Sequence, residues 1–237
     1  MADGIFVAAS GAVAQLRHLE IVANNLANSS TAGFQEDIVS FQEVVATRRN
    51  GPLEDKRYVQ LAASRPRRTD GPLQRTGNPL DVALRGDAFL AVQTPAGVRL
   101  TRDGRLTVGA DGVLRTETGH TVLDARGGPL RLPPGATPRI AEDGTVGVGG
   151  HTIGRLALVR PQPGAPLRKE GGALLRPAGP LQPATARVLQ GHIELSNADP
   201  VRTMVELVQV QRTFEALHQA IAAYRRMDEH ATRLPRA

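Results

Sequence analysis

The residues with the widest chemical reach in this chain are six histidines: His18, His120, His151, His192, His218 and His230. A helical zinc site needs two of them at i and i+4, and no pair has that spacing. Cysteine is absent, which removes thiolate ligands, thiol nucleophiles and disulfides together. His192-Ile193-Glu194 matches the opening of a zinc deaminase signature, whose Pro-Cys-x-x-Cys half cannot exist here. Gly147-Val148-Gly149 begins like a dinucleotide-binding fingerprint, but Thr152 occupies the third glycine position and the surroundings alternate like strands. Neither a Gly-x-Ser-x-Gly elbow nor a phosphate loop occurs. Arg85-Gly86-Asp87 is an adhesion tripeptide by composition and a β-turn by context. Asn28-Ser29-Ser30 fits a glycosylation triplet without a secretory signal ahead of it. The residue types therefore give no catalytic, cofactor-binding or metal-binding set, and the chain reads as a non-enzyme with no cofactor.

What must be positioned, then, is surface. With 41% hydrophobic residues the 237-residue chain can bury a core, while Gly 25 and Pro 17 favour many turns. No apolar run approaches the roughly 18 residues of a membrane span, so no membrane insertion is expected. The net charge is +6, but it is unevenly spread: residues 1–46 carry −4 and residues 47–78 carry +5. A basic stretch can track phosphates, and a nucleic-acid-binding module is the rival reading. Tyr58 is the one aromatic near those arginines, whereas single-strand binders interleave stacking residues, so no nucleic acid is expected.

Residues 4–27 read as a helix whose apolar seam steps by four and three through Ile5, Ala9, Ala12, Leu16, Leu19, Ala23 and Leu26. The helix ends in Asn28 and a Ser29-Ser30-Thr31 run. Gly33 can then take positive φ, and Phe34 can anchor the redirected chain. Residues 1–46 form this helix and turn, and 47–78 a basic, proline-punctuated linker. From Leu80 onward short alternating runs are separated by Asp103-Gly104, Asp111-Gly112 and Asp143-Gly144, a strong hairpin signal. Residues 79–190 thus read as an all-β domain, irregular from 161 where prolines accumulate. In 191–237, Asp199-Pro200 caps a second helix. It repeats the seam through Leu207, Val210, Phe214, Leu217, Ile221 and Tyr224. The fold class is α+β: a hairpin-rich central domain, with terminal helices pairing as a separate coiled-coil-like layer whose seams also serve as subunit interface.

The stretch Ala23-Asn24-Asn25-Leu26-Ala27-Asn28, continued by Thr31, Gly33 and Phe34, resembles the signature of the bacterial flagellar axial proteins, the rod and hook subunits. Asn78 to Phe89, Leu100 to Gly104, Asp111 to Leu114, Gly191 to Asn197 and Leu207 to Glu215 resemble further blocks of that family. Residues 47–77 and 125–190 match it loosely. Within the family, the short length and the opening Gly4 to Gly11 look most like the proximal rod subunit, with the distal rod subunit or another axial or hook protein as the alternative. The resemblance implies a structural, non-catalytic part of the flagellar basal body, in the rod that crosses the periplasm. It also implies export through the flagellar type III apparatus without a cleaved signal peptide. The implied partners are other rod proteins and further copies of this chain in a helical tubular assembly.

Overall fold

The computed structural model describes residues 2–46 and 56–233. Along the chain, one long helix precedes the strands and another follows them. Helix α1 runs Ala2–Ala27 and helix α2 runs Pro200–Arg233. The α2 start follows from its cap: Asp199 Oδ1 accepts from the backbone N–H of Val201 at 2.9 Å and of Arg202 at 3.1 Å. Pro200 occupies the first helical position, where a missing N–H costs nothing.

The strands in chain order are β1 (Asp37–Ala46), β2 (Lys56–Pro66), β3 (Leu73–Arg75), β4 (Val82–Arg85), β5 (Phe89–Thr94) and β6 (Gly97–Thr101). They continue with β7 (Leu106–Val108), β8 (Leu114–Thr116), β9 (Thr121–Val122), β10 (Arg139–Ile140), β11 (Thr145–Val148) and β12 (His151–Arg155). The last six are β13 (Leu158–Pro161), β14 (Leu167–Gly171), β15 (Leu174–Pro177), β16 (Leu181–Pro183), β17 (Arg187–Gln190) and β18 (His192–Glu194).

One compact unit contains α1, α2 and the β1–β2 ribbon. In it the helices pack on each other and run antiparallel. His18 meets Glu206, while Gly11, one turn and more toward the N-terminus, faces the Leu217 side chain. The His18 ring also stands edge-on to Phe41 of β1, 5.4 Å between centroids. By length and composition Ile5–Ala27 would suffice to cross a membrane, which differs from the sequence expectation. The many alanines raise its hydropathy despite Arg17, His18 and Glu20.

The other unit spans residues 28–36 and 65–198. Its largest sheet has the order β14-β15-β6-β5-β9-β8-β7, with β13 bridging β5 to β16, and every pairing is antiparallel. Smaller sheets are β10-β11-β12, β17-β4 and β18-β3. Val82, Leu84, Leu90, Val92, Leu114 and Leu156 centre its main core, and Phe89, Leu100, Leu167 and Leu175 a second one. Fixing such side chains away from water contributes roughly 1.5–3 kcal/mol each.

Two expectations are corrected here. Within the basic stretch 47–78, residues 47–55 lie outside the described residues, but Lys56–Pro66 is a strand paired with β1, and β3 pairs β18. Val59, Leu61 and their neighbours supply the alternation that the count of arginines and prolines obscured. Residues 161–190 are also regular rather than irregular. Pro161, Pro177 and Pro183 each sit at the end of a strand, where a missing donor breaks no ladder.

Candidate functional site

Helix α1 stops at Ala27, and residues 28–36 fold as part of the strand-rich unit. Thr31 N–H returns to the Asn28 carbonyl at 3.0 Å, and the Thr31 hydroxyl reaches Asn28 Oδ1 at 3.2 Å, making a tight turn. Gly33 follows at φ 66°. Only glycine fits, because a Cβ there would overlap the backbone of Arg102 and Asp103. Phe34 is buried, with the Lys169 ammonium 3.6 Å from its ring centroid. At the base of the loop Asn25 and Asp37 exchange two hydrogen bonds of 2.9 Å.

Segment 33–36 is gripped from two sides. Gly33 N–H donates to the Glu194 carbonyl at 2.8 Å, and Asn197 N–H donates to the Phe34 carbonyl at 3.3 Å. Asn197 Oδ1 accepts from Glu36 N–H at 2.7 Å, while its Nδ2 donates to the Arg67 and Thr69 carbonyls at 2.9 and 3.0 Å. Arg67 Nε pairs with Glu36 Oε1 at 2.8 Å.

Beneath this grip lies a buried ionic node. Arg102, 1% exposed, donates from one nitrogen to Glu194 Oε2 at 2.9 Å, Asp70 Oδ1 at 3.0 Å and the Leu84 carbonyl at 3.3 Å. Its other terminal nitrogen donates to the Gly86 carbonyl. The guanidinium carbon stands 5.3 Å from the Phe89 ring centroid. Glu194 is equally sealed, and its second oxygen accepts from Gly71 N–H at 3.0 Å. Burial pushes the Glu194 carboxyl above its ordinary range, against the opposing pull of Arg102. A buried acid near a second carboxylate resembles acid/base machinery, but both acids bond the same guanidinium nitrogen and Glu194 is only 2% exposed. The arrangement joins chain segments.

These joining residues were not singled out from sequence. The sequence carried only a partial signal: both lie in blocks that carry the family resemblance, and Glu194 stands between Ile193 and Leu195, but nothing local links it to Arg102. Arg85-Gly86-Asp87 belongs here too, Gly86 accepting from Arg102 and Asp87 pairing with Arg68. Among the described residues no group of three or more His, Asp or Glu could hold a metal ion.

The signature residues divide by environment. Asn25, Gly33 and Phe34 are buried; Leu26, Asn28 and Thr31 are half-buried; Ala23, Asn24 and Ala27 are exposed. On the expected seam Ala12 and Val210 are buried. Ile5, Ala9, Leu19, Leu26, Leu207, Phe214, Leu217 and Ile221 are half-buried. Leu16 is 42% exposed, and Ala23 and Tyr224 are exposed too. In α1 the covered face uses Ala8 and Val22 where the seam placed Ala9 and Ala23. Large apolar side chains outside the seam face solvent: Phe6 and Val13 on α1, and Val201, Met204, Val205 and Val208 on α2.

This division by chain segment matches known families. Residues 5–35 match the flagella basal body rod protein family, 83–148 the flagellar hook protein FlgE/F/G D1 domain, and 189–234 the flagellar basal body rod FlgEFG protein C-terminal family. The flagellar basal-body rod protein FlgF of Mesorhizobium japonicum is 36% identical over 91% of this chain and 90% of its own. The chain belongs to the flagellar basal-body rod protein family. Salmonella typhimurium FlgF is 32% identical over 99% of this chain and 98% of its own. The rod protein FlgG of Buchnera aphidicola from Acyrthosiphon pisum is 27% identical over 99% and 100%. Similarity thus favours the FlgF branch of the rod family.

Proposed function

We propose that this chain is the FlgF-type subunit of the proximal rod, a structural and non-catalytic part of the flagellar drive shaft. The observation that carries the reading is near full-length similarity to FlgF proteins, stronger than that to FlgG. The subunit assembles with other rod proteins, and with further copies of itself, into a helical tube crossing the periplasm. It reaches that place through the flagellar type III export apparatus without a cleaved signal peptide, and it does not insert into the membrane.

The helices pair as a coiled-coil-like layer, and the antiparallel meeting of His18 with Glu206 supports that pairing. Because much of the seam is covered within the chain, the subunit interface falls chiefly to the apolar side chains left outside it. Val201, 70% exposed, begins one such stripe through Met204, Val205 and Val208. Quantitative mass spectrometry of purified basal bodies, calibrated with labelled peptides, tests the assignment. Recovery at the level of the other proximal subunits is expected. Recovery at the level of the most abundant rod protein would move the chain to the distal rod, and absence from basal bodies of producing cells would overturn the structural role.

A further inference from the structure

A cavity of about 430 Å³ opens on the strand-rich unit between Arg75, Gly77, Pro79, Gln190, Gly191 and His192. Its two chemically active members come from paired strands. Arg75 of β3 stands directly opposite His192 of β18 in the antiparallel register, so their Cβ atoms are about 4.5–5.5 Å apart. Arg75 is exposed, and among the described residues it has no ion pair. The floor is nearly bare backbone. Gly77 and Gly191 have φ of 75° and 74°, a Cβ on Gly191 would touch the Gly77 backbone, and one on Gly77 would meet nothing within 4 Å. Gln190 is fully occupied as a wall: its Nε2 donates to the Pro79 and Pro138 carbonyls at 2.7 and 2.8 Å, and its Oε1 accepts from Ile140 N–H at 3.2 Å.

The imidazole tautomer follows from its partner. His192 Nδ1 lies 3.0 Å from the Gln190 carbonyl oxygen. A carbonyl only accepts, so Nδ1 carries a ring hydrogen, and in the neutral ring Nε2 presents a lone pair. Arg75 thus offers a fork of donors for an oxyanion, beside an acceptor that wants an O–H. Hydrogen phosphate has both kinds of group, whereas sulfate at neutral pH has only acceptors. We infer that Arg75 and His192 form a binding site for a phosphate group carrying a proton, with the guanidinium on its oxygens and His192 Nε2 accepting from its P–OH.

Amide NMR on the full chain, titrated with sodium phosphate or sodium sulfate at constant ionic strength, tests this. Saturable shifts at Gly77, Gly191 and His192 are expected with phosphate, about tenfold weaker with sulfate. Arg75→Ala should weaken phosphate binding about tenfold, and His192→Ala should abolish the preference over sulfate while leaving the fold intact. Arg212→Ala, on the other unit, should change neither. Glycerol phosphate separates the two sources: tighter binding than inorganic phosphate assigns the site to an ester, weaker binding to the free ion. Shifts that never saturate, equal response to sulfate, or undiminished binding in Arg75→Ala would each overturn the site.

Discussion

Arg102 and Glu194 stand 92 positions apart in sequence and meet at 2.9 Å, both almost wholly removed from water. Removing one partner of such a pair leaves an uncompensated buried charge, at a cost of about 3–5 kcal/mol. Arg102→Met and Glu194→Leu should therefore each lower the urea midpoint strongly. The double variant should recover a large part of the loss, since an apolar pair of similar volume can replace a buried ion pair. Independent, additive losses in a double-mutant cycle would mean that Arg102 acts through Asp70 and the Leu84 and Gly86 carbonyls instead.

Gly33 makes a sharper test of the signature turn. Two glycines of similar backbone geometry differ in their surroundings: Gly33 at φ 66° faces the Arg102–Asp103 backbone, and Gly77 at φ 75° faces open space. Gly77→Ala carries only the left-handed backbone penalty, about 1–2 kcal/mol. Gly33→Ala adds a steric overlap that neighbouring backbone must move to relieve. The expected order in chemical denaturation is wild type, then Gly77→Ala, then Gly33→Ala well below both. Equal losses would show that the close approach is not maintained.

The pH dependence separates Glu194 from the exposed acids. Its folded pKa lies above the ordinary 4.5, chiefly from burial. The folded chain thus holds that proton more tightly than the unfolded chain does. Its contribution favours folding below 4.5 and is lost as pH rises through the raised value. Asp111 and Asp143 are depressed below 3.8 chiefly by backbone hydrogen bonds, and Glu170 below 4.5 by its Arg99 bond. Their contributions are present above those ordinary values and lost as pH falls. Relative to wild type, the Arg102→Met, Glu194→Leu double variant should gain stability as pH climbs from 4.5 toward neutrality. A difference that stays constant with pH would place the Glu194 carboxyl in its usual range.

Local chemistry made much of this readable from sequence. Asp199-Pro200 announced α2, and Asp111-Gly112 and Asp143-Gly144 announced turns whose glycines do take positive φ, 75° and 87°. Asp103-Gly104 does not make the expected hairpin: β6 and β7 on either side of it pair with other strands, and Gly104, without positive φ, is required because a Cβ there would collide with Val82. Face assignment on α1 was less legible. A strict seven-residue seam drifts about 20° per heptad on a straight helix, and alanines at 8, 9, 12, 14 and 23 give little contrast between neighbouring faces. The Arg102–Glu194 node was hidden for a different reason. Pairing between distant strands is set by register, which neither residue's local context contains.

The outward stripe and the covered seam should respond differently to charge. Val205→Asp adds a carboxylate to a surface that already faces water in the subunit, so its stability should change by no more than about 0.5 kcal/mol. If Val201, Met204, Val205 and Val208 meet a neighbour in the rod, the same aspartate must be desolvated on assembly, and motility and recovery in basal bodies should fall sharply. Val210→Asp instead charges a buried position on α2 and should destabilise the subunit itself. Far-UV circular dichroism melts of the purified subunits, with swarming and basal-body recovery of the same variants, separate the two. Normal motility in Val205→Asp together with Met204→Asp would remove the stripe from the interface and return that role to the seam.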